Sequence, residues 1–257
     1  MLKFAANLSF LFTEHPFVQR FEQAASAGFR GVEFLFPYDF AATELAHRLQ
    51  QNALQQILFN LPAGDWAAGE RGLACLPGRE DEFGASLAQA VHYAQALNCP
   101  RLHALAGLRP AQACEDSLAN TYINNLRQAA AYLAPLGITL LIEPINSRID
   151  MPGYWLDSLP KALHMLEAID APNVKLQLDL YHLQIMHGDL ARTLETHIGQ
   201  IGHIQIADNP GRHEPGSGEI HYPYLFRLLE ELGYDGWIGC EYKPRGDTLA
   251  SLGWRPE

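Results

Sequence analysis

Apolar and polar positions follow a repeating order along the chain, in which a short apolar run precedes a longer stretch with helical spacing. Such alternation is typical of βα units that share a parallel sheet. The apolar runs predict eight strands, at Phe4–Asn7, Gly31–Phe34, Gln55–Asn60, Arg101–Leu105, Thr139–Glu143, Val174–Asp179, His203–Ala207 and Trp237–Glu241.

Helical patterns fill the intervals between these runs. Two local signals support their bounds: Gly28 follows the first helix, and Pro160 lies in the first turn of another, where proline is tolerated. The predicted helices are Phe17–Ala27, Thr43–Gln51, Glu80–Leu97, Asp116–Ala134, Ser158–Ile169, Asp189–His197 and Tyr222–Leu232, with a last short helix near Thr248–Gly253.

This alternation predicts an α/β fold, a single-domain (β/α)8 TIM barrel over residues 1–257, and the chain has the usual length for that fold. A doubly wound open sheet would also alternate strands and helices. Two observations favour the barrel. No G-x-G-x-x-G turn follows the first strand, and polar residues recur at the ends of the last four strands.

Composition and charge narrow the functional class. With 48% hydrophobic and 18% charged residues, the chain is typical of a folded globular enzyme. A net charge of -11 with scattered basic residues argues against a nucleic-acid partner. No apolar stretch reaches membrane-spanning length, and four cysteines without a C-x-x-C pair favour free thiols in the cytoplasm. The sequence leaves the oligomeric state open, a homo-oligomer included.

Oxygen-bearing side chains stand at the ends of the last four predicted strands: Glu143, Asp179, Gln205 and Glu241. Barrel active sites lie at the C-terminal ends of the strands, so these side chains are expected at one rim. Three converging carboxylates would repel one another, and a cation relieves that repulsion. Oxygen ligands suit Mg²⁺ or Mn²⁺, so the four residues are predicted to hold a divalent metal ion.

Four further residues are candidates for binding a substrate: His182, Arg212, Arg71 and Lys243. An arginine fork fits a carboxylate, which makes the two loop arginines candidates for an acidic substrate. Each has an ordinary alternative. His182 would be satisfied by backbone partners, the arginines would be solvated loop residues, and Lys243 would point outward.

Several long motifs carry a resemblance to a known family: FAANLSFLF, GVEFLFPYDF, NLPAGDWAAGERG, PGRE, LIEPIN, IQIADNPGRHEPGSGEI and IGCEYKP. Together they resemble hydroxypyruvate isomerase, a family of the xylose-isomerase-like barrel superfamily. The resemblance runs from about Lys3 to Trp254. It implies one bound divalent metal ion, with Glu143 and Glu241 as ligands and as proton donor or acceptor, and with Asp179 and Gln205 completing the ligand set.

The activity implied is the interconversion of hydroxypyruvate and tartronate semialdehyde, in which a proton moves between adjacent carbons through an ene-diolate. The close 2-oxo-tetronate isomerases share the ending GWIGCEYKPRG and are the first alternative. Phe59 also favours a 2-oxo-tetronate isomerase, because the hydroxypyruvate type has histidine at this position. Related ketose 3-epimerases, the second alternative, usually have histidine where Gln205 stands.

Two other classes share this fold. A DNA-repair endonuclease would need a multi-metal site and a basic face, and the net charge of -11 speaks against it. A binding barrel would keep the metal site without turnover, and only an assay separates it from an enzyme.

Overall fold

The computed structural model describes residues 1–255 and contains a closed barrel of parallel strands arranged in chain order. Each strand pairs with the next one, and the last strand pairs back with the first. The predicted single-domain barrel is confirmed. The strands are β1 (Lys3–Asn7), β2 (Gly31–Glu33), β3 (Gln55–Asn60), β4 (Arg101–His103), β5 (Thr139–Ile142), β6 (Val174–Asp179), β7 (Ile201–Ile206) and β8 (Trp237–Cys240).

Helices connect the strands on the outside of the barrel. They are α1 (Arg20–Ser26), α2 (Ala42–Gln51), α3 (Glu80–Leu97), α4 (Glu115–Leu133), α5 (Leu159–Ile169), α6 (Leu180–Met186), α7 (Leu190–His197) and α8 (Tyr222–Glu231). Short 3₁₀ turns occur at Phe17–Gln19, Ala134–Leu136, Ile198–Gln200 and Ala250–Leu252. The predicted first helix therefore starts as a 3₁₀ turn, and the helix predicted near Thr248–Gly253 is only such a turn. Helix α6, which follows β6 directly, was not predicted from the sequence.

Side chains alternate between the two faces of each strand, and this alternation separates an apolar layer from a polar one. On β6 and β7 the residues Leu176, Leu178, Ile204 and Ile206 are fully buried. The alternating polar residues hydrogen-bond to one another, as between Gln177 and Gln205. The apolar set thus faces the helices, and the polar set fills the barrel interior.

Gly239 of β8 makes room inside the barrel. A Cβ added at this position would lie 2.3 Å from the Glu33 Oε1 atom. The missing side chain lets the Glu33 carboxylate reach past β1 towards β8. A glycine in a strand often marks such a close approach.

Two whole-chain expectations concern membranes and cysteines. Over residues 1–255, none of the helices combines the length and the apolar character needed to cross a membrane. Within the described residues the four cysteines are unpaired, and three of them are buried.

Candidate active site

A cavity of about 250 Å³ opens at the C-terminal rim of the barrel. It is below the ~300–1,000 Å³ that is typical of drug-sized ligands, so it suits a small molecule. Every predicted site residue except Asp179 lines this cavity: Glu143, Gln205, Glu241, His182, Arg212, Arg71 and Lys243. Asp179 lies behind the wall, where His182 and Arg212 approach its Oδ2 atom.

Glu143 directly follows β5 and is buried. Its Oε2 atom accepts a hydrogen bond of 3.1 Å from Gln177 Nε2 and lies 3.7 Å from His103 Nδ1. Its Oε1 atom lies 3.9 Å from His182 Nε2. Among residues 1–255, one oxygen of this carboxylate therefore has a close donor, and the other has none within hydrogen-bonding distance.

Asp179 ends β6 and caps the N-terminus of α6. Its Oδ1 atom accepts a 2.8 Å hydrogen bond from the backbone N–H of Tyr181, as N-cap carboxylates do. The cap starts α6 at once, so His182 follows one turn later and its Nε2 atom lies 3.6 Å from Asp179 Oδ2. That Oδ2 atom is buried and has no hydrogen-bond partner within residues 1–255.

Gln205 and Glu241 are joined by a direct hydrogen bond. Gln205 Nε2 donates to Glu241 Oε2 over 2.6 Å and to Glu33 Oε1 over 2.8 Å. The amide oxygen of Gln205 accepts from Gln177 Nε2 over 2.6 Å. Gln205 thus presents its nitrogen to Glu241. Coordination of a metal ion by its oxygen, which stays a prediction, would require a change of these partners.

Arg212 is enclosed by acidic groups. Its guanidinium forms a short ion pair with Glu241 and lies 3.4 Å from Asp150 Oδ1 and 3.7 Å from Asp179 Oδ2. It also lies over the ring of Phe10, 4.8 Å from the centroid. Arg212 therefore acts as an internal counter-ion, and little of its hydrogen-bonding capacity is free for a substrate carboxylate.

Arg71 and Lys243 occupy the more open part of the cavity. Arg71 lies over the exposed Trp66 ring, 4.1 Å from the centroid, and donates from Nη1 to the carbonyl oxygens of Trp66 and Glu70. Lys243 is exposed and lines the same cavity. Their positions are compatible with contact to an anionic substrate, which stays a prediction.

Burial governs the ionisation of the acidic groups. Burial, followed by repulsion from Glu241 and Asp179, raises the pKa of Glu143 well above its ordinary value. Burial also raises the pKa of Glu241 to about 8, although Arg212 opposes the shift. Burial raises the pKa of Asp179 to about 6. These raised pKa values favour a state at neutral pH in which at least one of the three carboxyl groups is protonated.

The two histidines of the site are neutral. Burial, reinforced by Arg212, lowers the pKa of His182 well below its ordinary value. Burial lowers the pKa of His103 to about 3, with a smaller contribution from His203. Both rings therefore serve as hydrogen-bonding groups without charge.

The residues present fit a divalent cation. Glu143, Asp179 and His182 each offer a ligand atom, and these atoms lie within 4.8 Å of one another. Asp179 Oδ2 has no hydrogen-bond partner among residues 1–255. Glu143 is repelled by Glu241 and Asp179, and a divalent cation bound between these carboxylates would offset that repulsion. A metal site is therefore available at this rim.

Several polar residues of the cavity were not predicted from the sequence. His103 ends β4 and shares a 3.1 Å hydrogen bond with Asn60, which ends β3. The strand-end rule that found Glu143 applies equally to Asn60, whose strand end was predicted correctly but was not followed up. His103 was missed because the fourth strand was predicted to continue to Leu105. The other missed polar residues are Asn7, Asp150 and Gln177 in the cavity lining, and Asn146 behind it.

Comparisons with known proteins agree with this geometry. The family described as "Xylose isomerase-like TIM barrel" matches residues 21–256. A 2-oxo-tetronate isomerase of Cupriavidus necator is 54% identical over 254 residues, which cover 99% of this chain and 97% of that protein. A hydroxypyruvate isomerase of Escherichia coli is 52% identical over 254 residues, covering 99% of this chain and 98% of that one.

A solved structure is also similar. The crystal structure titled "AP endonuclease, family 2" from Brucella melitensis has a TM-score of 0.97 and 54% sequence identity, over 99% of this chain and 98% of that one.

Proposed function

The chain belongs to the xylose isomerase-like TIM barrel family, among the hydroxypyruvate and 2-oxo-tetronate isomerases, and from this premise we propose that it interconverts hydroxypyruvate and tartronate semialdehyde. The observation that carries the proposal is the pair Glu143 and Glu241, two buried carboxylates with raised pKa values that line one small cavity with cationic residues. The alternative substrate is a 2-oxo-tetronate, and relatives of both kinds match at similar identity. A ketose 3-epimerase activity is the more distant alternative.

Arg71 and Lys243 bind the substrate carboxylate in this mechanism. Both line the more open part of the cavity, whereas Arg212 is already paired with Glu241 and near Asp150 and Asp179. The reacting carbons then lie deeper, towards the glutamates. Arg212 keeps the adjacent Glu241 carboxylate in place and offsets its charge.

Proton transfer uses the two glutamates in opposite protonation states. The ionised glutamate takes a proton from the hydroxymethyl carbon of hydroxypyruvate, which leaves an ene-diolate over the two reacting carbons. A proton passes from the hydroxymethyl oxygen to the former carbonyl oxygen. The protonated glutamate then delivers its proton to the carbon beside the carboxylate. The product is tartronate semialdehyde, and the glutamates have exchanged protonation states. Each positioned acid or base contributes about 10²–10⁴-fold.

A divalent ion, Mg²⁺ or Mn²⁺, is part of the proposal. Glu143, Asp179 and Glu241, with Gln205 as the predicted fourth ligand, would hold it, and when bound it supplies Lewis-acid stabilisation of the developing negative charge. His182 donates a hydrogen bond to a substrate oxygen. The neutral state of His182 suits this role, because it adds a donor without another charge.

The test is an isomerase assay on the metal-loaded protein, with hydroxypyruvate and 2-oxo-tetronates offered in parallel and with a chelator as control. We expect metal-dependent turnover of one of them. Arg71→Met should raise KM for that acid, while Arg192→Met, on the exposed surface beside Asp189, should leave it unchanged. Absence of turnover with every acid would reject the proposal.

The similar solved structure from Brucella melitensis is named as an AP endonuclease, so a DNA-nicking assay is added to the test. The described residues bring one Asp, one Glu and one His together as a metal group, and the chain carries a net charge of -11. A multi-metal nuclease on DNA needs more ligands and a basic face. We expect no nicking of abasic DNA in an assay beside the isomerase test.

Two coarser expectations accompany the activity. The unpaired cysteines support a reducing compartment, so we propose the cytoplasm as its location. A homo-oligomeric assembly and the lack of a nucleic-acid partner remain predictions.

A further inference from the structure

Asn146 lies behind the active site, three residues after Glu143 in the LIEPIN motif, and is fully buried. Its Oδ1 atom accepts hydrogen bonds of 3.0 Å from the backbone N–H groups of Ile149 and Asp150. Its Nδ2 atom donates to Asp150 Oδ2 over 2.7 Å and lies 2.7 Å from His182 Nδ1. Backbone N–H groups only donate, so the amide oxygen must face them and the amide nitrogen must face the imidazole.

This orientation decides where the imidazole proton resides. Asn146 Nδ2 is a donor, so His182 Nδ1 must be the acceptor. A neutral imidazole carries one proton, and it is therefore on Nε2. That nitrogen points towards Glu143 Oε1 and Asp179 Oδ2, at 3.9 Å and 3.6 Å.

We propose that Asn146 is a positioning residue that holds His182 in the Nε2–H tautomer, so that His182 donates a hydrogen bond to the substrate and does not ligate the metal ion. The part played by the substrate rests on the proposed isomerase function. A nitrogen ligand must be free of its proton, and Nδ1, the unprotonated nitrogen, is already engaged by Asn146. The geometric group of Glu143, Asp179 and His182 therefore contributes its two carboxylates to a metal ion.

The surrounding contacts leave Asn146 little freedom to turn. Asp150 Oδ2 also accepts a 2.9 Å hydrogen bond from the Tyr181 hydroxyl, and Asp150 Oδ1 lies 3.4 Å from Arg212 Nη1. The carboxylate that receives the Asn146 amide is thus fixed from two other sides. A turned amide would place its oxygen against this carboxylate and its nitrogen against two N–H groups.

The first experiment reads the tautomer directly. The full chain is labelled with ¹⁵N for NMR spectroscopy. The ring nitrogen signals of His182 are assigned as those that disappear in the His182→Gln variant. We expect a pyrrole-type Nε2 and a pyridine-type Nδ1, unchanged when Mg²⁺ is added. A pyrrole-type Nδ1, or an Nε2 shifted as a ligand on addition of Mg²⁺, overturns the proposal.

The second experiment reverses the hydrogen bond. Asn146→Asp keeps acceptors for the two backbone N–H groups but replaces the donor to His182 with an acceptor. It is combined with Asp150→Asn, because two facing carboxylates would otherwise repel. In the double variant the ¹⁵N pattern should invert, with a pyrrole-type Nδ1 and a pyridine-type Nε2. The kcat should fall about 10²–10³-fold, as for loss of one oxyanion donor, with a much smaller change in KM.

Two matched variants separate positioning from a general structural effect. Asp150→Asn alone should keep the wild-type ¹⁵N pattern, and Asn146→Ala should lose the fixed tautomer without inverting it. A double variant that is folded but keeps the wild-type pattern contradicts the proposal. If the double variant does not fold, the wild-type spectrum still decides. The spectrum is readable whether or not hydroxypyruvate is turned over, so failure of the proposed function is recognised separately.

Discussion

Glu33 and Glu143 are both buried glutamates inside the barrel, but their surroundings differ. Glu33 accepts hydrogen bonds from Asn7 and Gln205 on Oε1 and contacts His203 Nε2 with Oε2 over 2.7 Å. In the part of the chain that the structure describes, Glu143 has one close donor, Gln177, and its Oε1 atom is 3.9 Å from His182 Nε2. Protein atoms satisfy Glu33, whereas Glu143 has acceptor capacity left for a ligand.

The same contrast extends to the neighbours. Buried polar groups normally find partners, so an unsatisfied one needs an explanation. Asp179 Oδ2 shares the rim with Glu143 and lacks a hydrogen-bond partner among the described residues. Burial alone therefore does not identify a functional carboxylate, and the unsatisfied acceptors at the rim are the better guide.

The largest expected effect is on catalysis at the rim. Glu143→Gln should lower kcat by about 10²–10⁴-fold, because a positioned acid–base group is lost. The fold should remain, since the amide has nearly the same shape and relieves repulsion from Glu241 and Asp179. The isomerase assay and a thermal melt of the same preparation measure both. Full activity in a folded variant would reject Glu143 as a catalytic residue.

A change at Glu33 should instead act on stability. Glu33→Leu removes the acceptor of Asn7, Gln205 and His203, and each buried donor left unsatisfied costs about 1–3 kcal/mol. The free energy of unfolding from urea titration measures the loss. The matched control is Glu143→Leu in metal-free protein, in which the free energy of unfolding should fall far less. Equal losses in the two variants would remove the distinction between them.

The smallest expected effect is a pH dependence of the metal-free protein. Burial raises the pKa of Glu143 in the folded state, and raises that of Glu241 to about 8, so the folded protein binds more protons than the unfolded chain. Stability is therefore lost as pH rises towards about 8. His103, with its pKa lowered to about 3, acts in the opposite sense only below its ordinary value of 6.5.

Melting temperatures between about pH 6.5 and 8.5 test this sign, because in that range the carboxyl groups dominate. We expect the melting temperature to fall with pH, the fall to be smaller with Mg²⁺, and Glu143→Gln to flatten it. A melting temperature that rises over this range in metal-free protein would show that the carboxylates are better compensated than their burial indicates.

The sequence allowed the strands and the carboxylates at their ends to be predicted, because both depend on local pattern. Gln55–Asn60 and Val174–Asp179 were predicted to the residue. The helix Leu180–Met186 was missed since it is short and starts without a loop, on the cap that Asp179 provides.

Contacts between distant segments could not be predicted from the sequence, because its patterns are local. Arg212 was predicted to bind substrate, and nothing near it in the chain indicates its proximity to Asp150, which is 62 positions away. Asn146 likewise meets His182 from 36 positions away, although its place in the LIEPIN motif beside Glu143 is a signal that could have marked it.

The uneven distribution of charge along the cavity has a consequence for how a molecule enters. Cationic Arg71 and Lys243 lie at the open part, and the buried carboxylates Glu143 and Glu241 lie further in. A molecule with a single carboxylate has a favourable electrostatic fit in one orientation only, with its acidic end outward. We therefore expect the metal-free pocket to bind a monocarboxylate in one preferred orientation, and to bind a molecule that is anionic at both ends less well.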